Sequence, residues 1–188
     1  MKPINNFETL QANTGEFNRP KAGGYICVVT LADDCPLNQN TGKGDYLKIE
    51  YDISDGEFKN YYTEQYERFG GNFWSASFIR SYKETALGMF KHFINCIEES
   101  NIGYKWNWDE KTLQGKFIGL VIGEEEYWKN DGTIGTRMYV KNVKTVEQIK
   151  HGDFKVPELK KLDGVSAPTS VPVGAVDTDV DTDDELPF

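Results

Sequence analysis

Residues 46–69 read "YLKIEYDISDGEFKNYYTEQYERF", and the fold turns on how this stretch is parsed. Its first half alternates. Leu47, Ile49, Tyr51 and Ile53 share one face, and Tyr46, Lys48, Glu50 and Asp52 share the other. Period two with one apolar face is the mark of a half-buried strand. "SDGE" (54–57) carries an Asp-Gly turn signal, the strongest short-range hairpin cue in the chain. The aromatic-rich "FKNYYTEQYERF" (58–69) is then expected to return as a strand antiparallel to the first.

Upstream, "GGYICVVTLADD" (23–34) is a β-branched run and predicts a strand. "CPLNQNTGKGD" (35–45), full of Pro, Asn and Gly, predicts a long loop. Downstream, the Gly-rich aromatic connection "GGNFWSASFIR" (70–80) leads towards a helix. Ser81 and Glu84 have capping-box spacing there, and Leu87, Phe90, Ile94 and Ile97 fall on one helical face, which ends near "SNIG". "YKWNWDEKTLQGK" (104–116) reads as a loop with room for a short hairpin. "KFIGLVIGEEEY" (116–127) is a nearly continuous apolar strand in which Gly119 and Gly123 mark bends. After the turn "WKNDGTIG" comes a fifth strand, "TRMYVKNVKTV", then one helical turn in "TVEQIKHG". The predicted order is β-β-β-α-β-β. That is the order of the five-stranded antiparallel OB-fold barrel, a mainly β fold with one helix. A generic α+β sandwich gives a similar string.

The 188 residues divide into an N-terminal extension (1–22), the barrel domain (23–150), a short basic and apolar segment (151–162) and a tail (163–188). The tail holds seven acids and no Lys or Arg, so of the net charge of −9 only −2 belongs to the rest of the chain. Its Pro, Ser, Thr, Val, Asp and Gly offer too little apolar surface to offset ordering entropy, which predicts a disordered acidic tail. The three cysteines form no C-x-x-C pair and read as small buried hydrophobes. The two histidines, His92 and His151, are far apart, and no metal site or cofactor is expected. No apolar run reaches the roughly 20 residues of a membrane span, and "MKPINNFETL" lacks a signal-peptide core, so a cytoplasmic protein is expected.

The last residues are "DDELPF". Asp183, Asp184 and Glu185, followed by Leu186, Pro187 and Phe188, resemble the acidic C-terminal tip of bacterial single-stranded DNA-binding proteins. The central stretches "AGGYICVVT", "TGKGDYLKIEYDISDGEFKN", "FIRSYKE" and "LQGKFIGLVIGEEEY" resemble phage and prophage single-stranded DNA-binding proteins with one OB domain. The cellular proteins have longer Gly- and Gln-rich linkers and a differently arranged domain. Their tetrameric state is therefore not carried over, and monomer and dimer both stay open. The resemblance implies a non-enzymatic protein that coats single-stranded DNA during phage or prophage replication and recombination, in the host cytoplasm. It also implies that the tip recruits replication and recombination enzymes. The physics agrees: the terminal ring fills an apolar pocket while a basic rim meets the acids.

Sequence-independent binding of single strands needs rings for bases and cations for phosphates, on the strand 2–3 face and the flanking loops of such a barrel. The candidates are Lys43 in the first loop, then Tyr46 and Lys48 on the polar face of the second strand. The expected third strand supplies Lys59, Tyr61, Tyr62 and Tyr66, and beyond it come Arg68, Phe69, Phe73, Trp74 and Arg80. Alternation separates Tyr61 from Tyr62 and Tyr66, so not all three can stack on DNA. Trp128 and Lys129 lie in the last turn, and Arg137, Tyr139 and Lys141 share one face of the fifth strand. Trp106 and Trp108 are expected to cover the barrel end, and Phe73 with Trp74 to form a mobile stacking flap or, by preference, a hydrophobic plug. A competing reading is a small metal-dependent nuclease using Asp33, Asp34, Glu124, Glu125 and Glu126, although consecutive strand glutamates alternate faces and make a poor cage. A third is an OB-like interaction adaptor.

Overall fold

The computed structural model describes residues 18–162. The expectations for residues 1–17, for the acidic tail and for its tip lie outside the described residues. Five strands form one antiparallel sheet: β1 (Gly23–Cys35), β2 (Tyr46–Ile53), β3 (Ser77–Ser81), β4 (Phe117–Trp128) and β5 (Ile134–Lys144). Their spatial order is β3-β2-β1-β4-β5. The sheet is open, with β3 and β5 as its edges, so the expected closed barrel is not formed. Three α-helices accompany it among the described residues: α1 (Tyr61–Arg68), α2 (Leu87–Ser100) and α3 (Val146–Lys150). No helix there is long and apolar enough to cross a membrane.

The strand expected in "FKNYYTEQYERF" is a correction: residues 61–68 are α1, and "SDGE" leads into that helix rather than turning a hairpin. The cause is a cap supplied from elsewhere. Asn60 enters α1 with a left-handed backbone, φ 62°, and its side chain caps nothing. Asp52, at the end of β2 and only 3% exposed, does that work. Its carboxylate accepts from the backbone N–H groups of Tyr62 and Thr63, both at 3.0 Å, and from the Thr63 hydroxyl at 2.5 Å. An anion against the otherwise unpaired N–H groups of a first turn satisfies donors and complements the helix dipole. Tyr62 then packs edge-on against Tyr51 at 5.5 Å, and Tyr61 against Phe58 at 6.2 Å.

The third strand lies later than expected, in "SFIRS", and pairs Tyr46 with Ser81 and Ile49 with Phe78. Ser81 therefore ends a strand, and the capping box with Glu84 is not made. A 3-10 turn, Glu84–Ala86, feeds α2 without a side-chain cap. The inner face of the sheet carries Cys27, Val29, Leu47, Ile49, Tyr51, Ile53, Ile118, Leu120, Ile122 and Val143. Phe93, Ile94, Cys96 and Ile97 of α2 complete this core, while Leu87 stays outside it. α2 touches both sheet edges. His92 Nε2 lies 3.0 Å from the Val143 carbonyl on β5, and Phe93 packs on Phe78 of β3 at 5.9 Å.

Two smaller expectations also resolve. The loop 104–116 contains a 3-10 turn, Glu110–Leu113, that buries Leu113, and the following Gly115 and Lys116 exchange backbone hydrogen bonds with Val29 of β1 beside a bulge between Val29 and Leu31. The helical turn at "TVEQIKHG" is α3, with a true capping box between Thr145 and Gln148. Residues 151–162 run back over the body. The Phe154 ring sits where a Cβ on Gly24 would collide, and Lys160 exchanges backbone hydrogen bonds with Glu124 and Glu126 at 2.9 Å.

Candidate nucleic-acid interface

β4 and β5 run on as a two-stranded ribbon past the end of β1, whose pairing with β4 stops at Ile122. On one face of this ribbon the register sets Gly123 opposite Tyr139, Glu125 opposite Arg137 and Tyr127 opposite Gly135. Each ring lies across a glycine. A Cβ at Gly123 would stand 2.8 Å from the Tyr139 ring, and one at Gly135 2.9 Å from the Tyr127 ring. The Lys129 stem reaches over Gly135 as well. Between the rings, Arg137 donates to Glu125 at 2.6 Å, with its guanidinium 5.6 Å from the centre of Tyr127. Glu125 thus orients Arg137, with Lys160 at 3.8 Å from its other oxygen. The result is a strip of tyrosine, arginine and tyrosine with a lysine at its end. Bulged Lys141 is exposed just beyond.

A second group lies on the outer face of β2 and β3. Tyr46, Lys48 and Glu50 face outward opposite Ser81, Ile79 and Ser77. Lys48 pairs with Glu50 at 2.8 Å, and that hydrogen bond raises its pKa, so it is fully charged at neutral pH. Lys43 lies in the exposed loop before β2, where its carbonyl accepts from Asn38 N–H at 2.7 Å. Lys59 and Arg68 are exposed at the two ends of α1.

Five expected contacts do not belong to an accessible face. Tyr62 is 6% exposed and part of the core, and burial pushes its hydroxyl pKa up. Tyr61 is half-buried between Phe58 and Tyr62. Arg80 sits opposite Leu47, so strand parity points it inward. Its guanidinium lies 4.6 Å from the centre of the Phe78 ring and 5.8 Å from that of Phe93, and burial pulls its pKa down to about 10. Trp74 packs on Tyr66 at 5.6 Å and donates its indole N–H to the Ala76 carbonyl at 3.0 Å. Trp128 is half-buried opposite Ile134, its indole N–H enclosed.

The reverse also occurs. Tyr127 completes the ribbon strip, although in sequence it follows three glutamates and signals nothing. Only its register against Gly135 reveals it. Trp108, expected to cover the core, is instead 82% exposed with φ 66°. Phe73 is not a plug: only its neighbour Trp74 is.

Besides Glu125, three of the carboxylates considered for a metal are committed elsewhere. Glu124 accepts from Arg19 at 2.8 Å, Glu126 from the Leu162 N–H at 3.1 Å, and Asp34 from the Tyr82 hydroxyl at 2.8 Å. Among the described residues no three His, Cys, Asp or Glu gather as a metal-holding group. No protein-family model matches the chain, and no curated protein matches it.

Proposed function

We propose that this chain is a non-enzymatic protein that binds single-stranded DNA with little regard to sequence. The observation that carries the reading is the β4–β5 ribbon, where Tyr127 and Tyr139 alternate with Arg137 and Lys129 on one face. Rings stack on any base, and cations between them follow the phosphates, so the pattern fits a strand without demanding a sequence. The outer face of β2 adds Tyr46 and Lys48.

The strand order supports an open barrel of OB type. β1 pairs with both β2 and β4, and α2 links β3 to β4 while lying against both sheet edges. In such barrels the strand 2–3 face and the loops at either side take up nucleic acid. The resemblance of "DDELPF" to the tips of bacterial single-stranded DNA-binding proteins adds a second role. Asp183 to Phe188 recruit enzymes of replication or recombination, in phage or prophage DNA metabolism within the bacterial cytoplasm.

The test is a titration with oligo-dT at two salt concentrations, read by intrinsic Trp fluorescence. Binding that weakens steeply with salt is expected, with a slope of about −0.7 per phosphate neutralised. No salt-dependent binding overturns the reading. Deleting Phe188 is expected to leave oligo-dT affinity unchanged and to abolish capture of host replication enzymes.

A further inference from the structure

The connection from α1 to β3, "RFGGNFWSAS" (68–77), holds two large rings out in solvent. Phe69 is 66% exposed and Phe73 72% exposed. Exposed rings on a loose loop would mean little, but this loop is fastened at its base. Trp74 packs on Tyr66 and hydrogen-bonds to the Ala76 carbonyl. Ser75 donates to the Gln65 side chain at 2.6 Å, and the Ala76 carbonyl accepts from Tyr51 N–H at 3.1 Å. Gly70 and Gly71 both take left-handed backbones, φ 75° and 74°. Two such residues in succession turn the chain sharply between the phenylalanines, and a side chain at either position would be strained. A Cβ on Gly71 would rest on the Tyr66 ring at 3.6 Å, so the turn is seated on the helix. One aromatic of the loop is thus spent as the anchor, and two are left outward at a cost in exposed apolar surface.

Resting on the single-stranded DNA reading above, we propose that Phe69 and Phe73 form a second base-stacking station, separate from the β4–β5 strip, with Arg68 taking a phosphate. The composition favours nucleic acid over a protein partner. Apart from the anchored Trp74 and Ala76, the loop offers only Arg68, Gly70, Gly71, Asn72, Ser75 and Ser77 around the two rings. A protein-docking patch needs continuous apolar surface with a desolvated centre. Isolated rings spaced by small polar residues and a guanidinium suit bases that splay apart along a charged backbone.

The experiment uses the full chain and two probes of equal length and charge: an oligo-dT of about 16 nucleotides, and the same backbone made of abasic sites. The double variant Phe69→Ser/Phe73→Ser is expected to bind oligo-dT about 10-fold or more weakly. Its affinity for the abasic strand should stay within about twofold of wild type, as phosphate contacts predict. Phe69→Trp/Phe73→Trp is expected to restore oligo-dT binding. Thermal melting of each variant reports on the fold. Equal losses on both probes overturn the proposal, as does wild-type affinity of the Ser variant for oligo-dT. If that unchanged affinity comes with an altered sedimentation coefficient, the rings serve contact between copies of the chain instead. If the wild-type chain binds neither probe, the DNA-binding reading falls with it.

Discussion

Asp52 shows how one side chain decides the fate of a dozen others. Strand parity places it on the outer face of β2 with Tyr46, Lys48 and Glu50, yet it is buried because α1 is built on it. Asp52→Ala removes the acceptor for three backbone N–H groups, those of Ile53, Tyr62 and Thr63, and for the Thr63 hydroxyl. Urea unfolding should show a loss of about 1–3 kcal/mol, with a smaller loss for Asp52→Asn, which keeps one acceptor oxygen. Arg80 makes the opposite case. Its charge lies half-buried against aromatic rings, and among the described residues its Nε has no hydrogen-bond partner while its Nη1 donates to the neighbouring Ile79 carbonyl. Replacing a poorly compensated buried charge by an apolar chain of similar length is commonly neutral or stabilising. Arg80→Met is therefore expected to unfold at equal or higher urea and to bind oligo-dT as wild type does. A loss of DNA affinity without a loss of stability would return Arg80 to the interface.

Among the elements, the ribbon and the core use glycine for the same purpose with different consequences. Gly123 and Gly135 leave room for the tyrosines that the binding reading needs. Gly123→Ala and Gly135→Ala should displace a ring each and weaken oligo-dT binding by about 1–3 kcal/mol, with little change in melting temperature. Gly119 instead leaves room for Ile149 of α3, and a Cβ there would stand 2.6 Å from the Thr145 carbonyl oxygen. Gly119→Ala should cost about 1–3 kcal/mol of stability, read by chemical denaturation, and leave DNA affinity unaltered. The strands β1, β2, β4 and β5 were legible because their β-branched or alternating residues are locally consistent with their burial. β3 and α1 were not. In "FKNYYTEQYERF" the β-propensity of tyrosine outweighed the recurrence of Phe58, Tyr62, Tyr66 and Phe69 at steps of four, four and three. That recurrence was the available sign of a helix.

For the whole molecule, charge is the property that matters most. Residues 163–188 hold seven of the thirty acids and no Lys or Arg, so the rest of the chain is nearly neutral. Residues 151–162 pack on the body and end beside the ribbon, where the Leu162 N–H meets Glu126. A chain truncated after residue 162 is expected to bind oligo-dT more tightly than the full chain at low ionic strength, with the difference vanishing at high salt. Equal affinities at low salt would show that the tail does not compete for the strip.

The sequence by itself determined what depends on neighbours along the chain: four of the five strands, the existence and C-terminal end of α2, the helical turn of α3, the segregation of acid to one end, and Arg137, Tyr139 and Lys129 as candidates. The tertiary structure alone decided what depends on partners far apart in sequence. It moved the third strand, folded α1 onto a carboxylate from β2, turned Arg80 and Tyr62 inward, set Tyr127 beside Arg137 and left Phe69 and Phe73 outside. The reason is physical. Periodicity reports which faces want burial, but register and capping are settled by hydrogen bonds between distant segments, and a shift of one residue exchanges core for surface.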